Sequence, residues 1–307
     1  MIEPDGKLLV GGDGFDGSKL TGMLVRLDAN GSLDKSFGSG GSVFSSNGFG
    51  ALVRRSDGKI VVLGGALARY EPDGTLDKSF GSRGTAPIRG FGEFGVAGAL
   101  VLQPDGKLVV SGDDGMEFSD SKVNLARYNA NGSPDRSFGS GGKVMNDLGR
   151  NYALAIQPDG KLVAAGGGGS GSNEWEWVLS RYNANGSLDR SFGAGGVVRT
   201  PLKITMGVQA LVIQHDGKLV AAGCDANTTK GNSHDVFQLI RYNANGSLDP
   251  TFGRGGEVTT AIPANPKPLD EACVSALAIQ ADGKLVAGGK GQSSLFDTTF
   301  ALARYLR

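Results

Sequence analysis

The tripeptide Asp-Gly-Lys occurs six times along the chain, at residues 5–7, 57–59, 105–107, 159–161, 216–218 and 282–284. Each copy separates two short apolar runs, so the chain is a tandem array with a period of about 50 residues. A unit of that length, made of several short β runs, cannot bury its apolar faces alone and must stack on its neighbours. The recurrence constrains the fold far more tightly than it constrains the function.

Residues 153–198 serve as the reference unit. A first run, Ala153-Leu154-Ala155-Ile156-Gln157, meets the turn Pro158-Asp159-Gly160-Lys161. A second run, Leu162 to Gly166, leads into a variable stretch, and a third, Trp177 to Tyr182, ends in Arg-Tyr. The connection Asn183-Ala-Asn-Gly-Ser-Leu-Asp-Arg-Ser-Phe-Gly193 follows, and Gly195-Gly196-Val197-Val198 can form a fourth run. Runs of four to six apolar residues bounded by Gly, Pro, Asn and Asp are too short for helices and lack a 3.6-residue period, so they predict strands. Pro-Asp-Gly between two such runs predicts a tight hairpin, and the near-continuous apolarity of Leu-Val-Ala-Ala-Gly predicts strands covered on both faces. The fold expected is all-β: a β-propeller of six repeat units, each of about four antiparallel strands, in a single domain over residues 1–307. No helix is expected.

The ends are clipped relative to the repeat. Met1-Ile2-Glu3 stands where a full first run belongs, and the chain stops at Arg304-Tyr305-Leu306-Arg307 ahead of any Leu-Asp-x-Ser-Phe-Gly segment. The terminal blade is therefore expected to be incomplete: either the ring seals without that strand, or the chain is a piece of a longer array.

The string ALAIQPDGKLVAAG…LARYNANGSLDxSFGxGG resembles the delta-60 repeat family of bacterial proteins over essentially the whole chain, and more weakly resembles NHL-type propeller blades. The resemblance implies a β-propeller, usually in secreted or surface-exposed bacterial proteins, and implies no activity. An extracytoplasmic or secreted location is the expectation it carries, although the N-terminus lacks the basic and apolar regions of a signal peptide.

Charge excludes one class of partner. Formal net charge is zero and the cations are spread rather than clustered, so no nucleic-acid surface is expected. No run is long enough to span a membrane. The cysteines, Cys224 and Cys273, are expected to be two free thiols, with a disulfide the alternative.

Up-and-down strands alternate their connections between two ends. The Asp-Gly-Lys hairpins and the Asn-Gly-Ser-Leu-Asp connections then share one end. The segments that differ in every unit (11–22, 111–122, 167–176, 224–235, 288–298, and 45–50, 88–98, 146–152, 199–209, 261–275) share the other. Loops on a rigid scaffold are where binding and catalysis usually sit, so the variable end is the search region. At the uniform end, the Arg of the third run is expected to bridge the Asp of Leu-Asp-x-Ser-Phe-Gly, because a guanidinium fork suits a carboxylate. Phe37, Phe80, Phe138, Phe192 and Phe252 are expected in the core. Asn183-x-Asn185-Gly186-x-x-Asp189 echoes part of a calcium loop, but Asx turns account for every copy, so no metal or cofactor is expected.

At the variable end the residue types suggest two chemistries. Trp175 could stack on a sugar, with Glu174, Glu117, Asp120 and Tyr152 as further ligand-binding candidates, while Trp177 aligns with Phe237 and Phe300 and is assigned to the core. Asp113, Asp114 and Asp225, with His234 in a long polar loop, are the candidate acid–base set. His215 sits in a scaffold-end hairpin and is incidental, and no Gly-x-Ser-x-Gly or phosphate loop appears in a fitting context. The leading reading is a non-enzymatic binding or scaffold propeller that engages a glycan, peptide or protein through its variable face. The alternative is a propeller enzyme (hydrolase, lyase or isomerase) with its site near the axial opening of that face, and a purely structural module is a third.

Overall fold

The fold was analysed in a computed structural model, which describes residues 1–306 apart from 16–19, 47, 89–96, 113–124, 147, 149, 170–174, 203–206, 230–231, 263–270 and 295–296. Twenty-two strands form six antiparallel sheets, the blades of an all-β propeller, and no helix occurs among the described residues. Sheet 1 holds β1 (Leu8–Phe15), β2 (Leu20–Leu27) and β3 (Ser42–Ser45). Sheet 2 holds β4 (Ala51–Arg54), β5 (Ile60–Leu63), β6 (Ala66–Tyr70) and β7 (Thr85–Pro87). Sheet 3 holds β8 (Ala97–Leu102), β9 (Leu108–Gly112), β10 (Leu125–Tyr128) and β11 (Lys143–Val144). Sheet 4 holds β12 (Arg150–Ile156), β13 (Leu162–Gly169), β14 (Trp175–Tyr182) and β15 (Val197–Pro201). Sheet 5 holds β16 (Val208–Ile213), β17 (Leu219–Thr229), β18 (Asn232–Tyr242) and β19 (Glu257–Thr260). Sheet 6 holds β20 (Glu271–Ile279), β21 (Leu285–Ser294) and β22 (Asp297–Tyr305).

The contacts divide the chain into two compact units, the first built on sheets 1–3 and the second on sheets 4–6. In the first unit, Leu9, Leu24 and Phe37 of sheet 1 pack against Ile60, Val62 and Tyr70 of sheet 2. In the second, Trp177 and Leu179 of sheet 4 pack against Leu219, Ala221 and Tyr242 of sheet 5. The pattern then advances by one sheet: Phe237 and Leu239 of sheet 5 meet Leu285 and Ala287 of sheet 6. Strands β5 and β9 are buried at every position, as continuous apolarity requires of a strand pressed between two sheets. The five repeated phenylalanines and Trp177 lie in the core, none more than 3% exposed.

Two expectations need correction. Among the described residues of the variable segments, most are strand, not loop. Residues 224–229 and 232–235 continue β17 and β18 as a paired hairpin out to Thr229 opposite Asn232, and His234 is a strand residue. Backbone pairing needs no apolar alternation, so these polar extensions carry no hydrophobic signal that a sequence reading could detect. The second correction concerns the cysteines. Cys224 and Cys273 are joined in a disulfide, because β17 and β20 bring their Cα atoms to 4.6 Å. Their separation of 49 residues, close to one repeat, was the available signal.

Candidate functional site

The uniform end is closed by one motif built five times. In sheet 4 the Asp-Gly-Lys turn holds itself: Gln157 N donates to Lys161 O at 2.8 Å, and Lys161 N donates to Asp159 Oδ1 at 3.1 Å. Gly160 sits at φ 83°, where a side chain would be strained. From the far side of the sheet, Arg181 Nε donates to Asp189 Oδ2 at 2.8 Å, and Lys161 Nζ lies 3.4 Å from the same oxygen. The other carboxylate oxygen accepts from Ser191 N and Oγ at 3.1 and 2.7 Å. The guanidinium lies over the Phe192 ring, 4.6 Å from its centroid. Its Nη1 reaches into the next sheet's connection, donating to Ala244 O at 2.6 Å, and its Nη2 donates to Ser191 Oγ at 3.1 Å. Stacked on the ring by one face and hydrogen-bonded around its edge, the guanidinium is a rivet.

The rivet recurs as Arg26–Asp34, Arg69–Asp77, Arg127–Asp135 and Arg241–Asp249, each at 2.7 or 2.8 Å. Arg26 donates to Pro72 O and Arg69 to Ala130 O, each in the following unit. The glycine of Asn-Gly-Ser is fixed by the same joint: a Cβ on Gly132 would lie 2.9 Å from Phe80 Cζ, at a φ of +87°. The asparagines make Asx turns. Asn185 Oδ1 accepts from Ser187 N at 3.0 Å and from Ser187 Oγ at 2.8 Å, which occupies the oxygen that the calcium analogy would have aimed at an ion.

Displaced pKa values follow the same motif. Burial pushes the Asp135 carboxyl up, but hydrogen bonds from Ser137 and the charges of Arg127 and Lys107 outweigh it and hold it at about 2. The Ser191 hydroxyl and backbone, with Arg181, hold Asp189 at about 2. The hydrogen bond from Lys7 holds Asp34 well below the usual carboxylate range, and Asp77 and Asp249 are also held low. Burial pushes the phenols of Tyr182 and Tyr242 up. Perturbed pKa values often mark active sites, but here they mark a structural network.

The variable end differs from sheet to sheet. In sheet 2, β5 and β6 are joined by two residues, Gly64 and Gly65, between Leu63 and Ala66. In sheet 5, β17 continues seven residues past the position matching Leu63, roughly 20 Å at strand rise. The disulfide ties this long hairpin to sheet 6 through Cys224, close to where it leaves the body of its sheet. Two acidic side chains here have structural partners. Asp13 Oδ1 accepts from Phe49 N at 2.6 Å, pinning the connection into sheet 2. Glu176, only 9% exposed, forms an ion pair with Arg199 of the neighbouring strand.

The described candidate residues lie on sheets 4 and 5. Asp225 and His234 share the long hairpin: Asp225 pairs with Val236, and His234 stands two rungs nearer the tip, opposite Asn227. Trp175 ends β14 opposite Gly169. Tyr152, half-buried, is the extra residue of a bulge in β12, between Asn151 and Ala153. The same bulge recurs at Gly98, Gln209 and Ser275, so it belongs to the repeat. Asp113, Asp114, Glu117, Asp120 and Glu174 lie outside the described residues. His215 is an exposed turn residue of the uniform end, as expected. No group of three or more metal-ligating side chains occurs among the described residues.

Stacked antiparallel sheets, a riveted uniform end and individual hairpins at the other define a repeat-built β-propeller. Five stretches, 3–37, 55–80, 103–138, 157–192 and 214–252, match the family described as a domain of unknown function (DUF5122) beta-propeller, together more than half of the chain. The chain belongs to that family. No curated protein matches it. Similar solved structures include a gluconolactonase from Xanthomonas campestris (14% identity, 93% of this chain and 82% of that one, TM-score 0.44). Another is Sqt1 of Chaetomium thermophilum bound to the N-terminus of ribosomal protein L10 (14%, 95% and 84%, 0.48). A third is xylan beta-1,4-xylosidase from Bacillus halodurans C-125 (14%, 84% and 53%, 0.45). These neighbours include both enzymes and a binder.

Proposed function

We infer that the chain is a non-enzymatic binding or scaffold propeller, of the delta-60 repeat type, that engages a glycan, peptide or protein through its variable end. One observation carries this reading. Every displaced carboxylate and lysine pKa among the described residues belongs to the repeated motif, where it locks the scaffold, while the variable end offers hairpins of unlike length and sequence. A general acid or base needs a pKa near the working pH, and carboxylates held far below the usual range have none to offer. Paired strands projecting from a riveted base suit recognition, since a pre-ordered surface loses little entropy on binding.

The disulfide supports an extracytoplasmic location, because such bonds persist in oxidising compartments. The enzymatic alternative draws on Asp225 and His234, which share one hairpin.

Glycan and peptide arrays probed with wild type, Trp175→Ala, a variant with residues 226–233 replaced by Gly-Gly, and Asp159→Ala test the reading. Binding should fall at least tenfold in one of the variable-end variants and persist in Asp159→Ala, which alters only a uniform-end turn. Turnover of a ligand that is abolished by Asp225→Asn, or binding indifferent to both variable-end changes, overturns it.

A further inference from the structure

The segment Leu-Asp-x-Ser-Phe-Gly commits its aspartate, serine and phenylalanine to the rivet and leaves its leucine and position x outside it. The leucine lies at the surface: Leu33 is 48% exposed, Leu76 38% and Leu248 41%. Its backbone bridges back to the end of the third strand, but Pro134 makes the same bridge to Tyr128, so the joint does not require leucine. Position x is exposed as well and holds Lys35, Lys78, Arg136 and Arg190, with Pro250 in the fifth copy. Each buried aspartate is thus flanked by an exposed apolar residue and, in four copies of five, an exposed cation.

In the unit built on sheets 1–3 these cations are free. Lys7, Lys59 and Lys107 of the hairpins are bound to the rivet aspartates, whereas Lys35, Lys78 and Arg136 form no ion pair among the described residues. Arg83 joins them under strain. It is exposed at φ 54°, the only non-glycine with a positive φ among the described residues, where the other copies place Gly40, Gly141, Gly195 and Gly255. A Cβ built on Gly40 or Gly141 meets nothing within 4 Å, so no packing contact accounts for a side chain there. Strain that persists without a structural reason points to a use for the side chain. Of the carboxylates at this end of the unit, Asp5 and Asp73 lack an ion pair, so the free cations outnumber them.

The connections of this unit are held in one row. Gly38 N donates to Asp73 O at 2.7 Å and Gly81 N to Asn131 O at 2.8 Å, so each connection is bonded to the next by the same contact. Exposed leucines interleaved with unpaired cations match a partner whose surface is anionic with apolar material just beneath, as in a lipid leaflet. An acidic polymer would use the cations and leave the leucines idle.

We propose that the uniform end of the unit built on sheets 1–3 docks on anionic lipid headgroups. Lys35, Lys78, Arg83 and Arg136 face the phosphates, and Leu33 and Leu76 press into the headgroup margin. The contact is peripheral, drawn by charge that salt screens and helped by apolar contact that salt does not weaken.

Sedimentation of the full chain with vesicles of phosphatidylcholine and phosphatidylglycerol tests this. Binding should exceed that to phosphatidylcholine alone by roughly tenfold or more and fall with added salt. Lys35→Ala and Lys78→Ala should each weaken it about fivefold, the loss expected for one cation beside an anionic leaflet. Arg83→Gly restores the residue of the other copies and should weaken binding by a similar factor without lowering the melting temperature. Leu33→Ser with Leu76→Ser should weaken vesicle binding about threefold or more, yet leave any binding of inorganic polyphosphate unchanged. None of these side chains belongs to a rivet, so melting temperatures matching wild type exclude misfolding. Equal binding to neutral and anionic vesicles overturns the proposal, as do lysine variants that bind like wild type. Leucine variants indistinguishable from wild type on vesicles also overturn it, showing that this end takes an acidic polymer rather than a lipid surface.

Discussion

The two ends of these sheets solve opposite problems with one backbone. At the uniform end, each hairpin and connection carries the same residues, and almost every polar atom of the motif is matched. Arg127 is 6% exposed and Asp135 8%, so the pair is largely removed from water and must be satisfied in full. At the variable end the same up-and-down path is closed by two glycines in sheet 2 and by a disulfide-anchored hairpin of eleven-residue strands in sheet 5. Constraint at one end leaves the other free to vary: once the joints between units are fixed by identical rivets, strand length beyond them no longer affects the packing.

The contrast is broken most severely by acid, which strikes all five rivets together. Their aspartates are held below the usual value of 3.8, so their contribution to stability is complete above it and vanishes as pH falls toward the folded value, about 2 for Asp135 and Asp189. Thermal melts should stay level from pH 7 to about 4 and drop steeply between about 4 and 2. A level profile through that window would mean the rivets add nothing.

A single rivet is the next largest lever. Asp135→Ala leaves Arg127 buried beside its ring without a carboxylate and should cost about 3–5 kcal/mol in chemical denaturation. Trimming residues 226–233 to Gly-Gly shortens a hairpin that runs past the strand length of its neighbouring sheets and should cost under about 1 kcal/mol. Equal losses would erase the distinction between the ends. The effect of the covalent tie is expected to fall between these two. Removing it with Cys224→Ala and Cys273→Ala should cost about 2–4 kcal/mol, the usual range for a native bridge closing a loop of this size. The loss should fall mainly on sheets 5 and 6, as hydrogen exchange would report.

Much of this was legible from residue order alone. Asp-Gly-Lys between apolar runs located the first hairpin of each unit, and the recurrence of Arg, Asp and Phe at fixed offsets foretold the rivet and its buried ring. What could not be read was whatever lacks a periodic signature. The arm of β17 and β18 is held by main-chain pairing under mixed polar side chains, so Asp225 through Asp235 read as loop. The bulge at Tyr152 interrupts a run that looks uniform in sequence. The partnership of Cys224 with Cys273 depends on a neighbour one unit away, which an inventory of two thiols does not reveal. The site candidates carry no periodic signature either, because they were chosen by residue type at the end where type repeats least.

The reach of the Arg26, Arg69 and Arg181 guanidiniums into the following repeat has an evolutionary corollary. A carbonyl oxygen carries no side-chain identity, so any unit can accept the arginine of any other. Gene duplication or loss of one whole repeat would leave every joint chemically intact, with no compensating substitution required. Lineages bearing this architecture are thus free to gain and shed blades by recombination, and to diversify each new blade's arm at leisure.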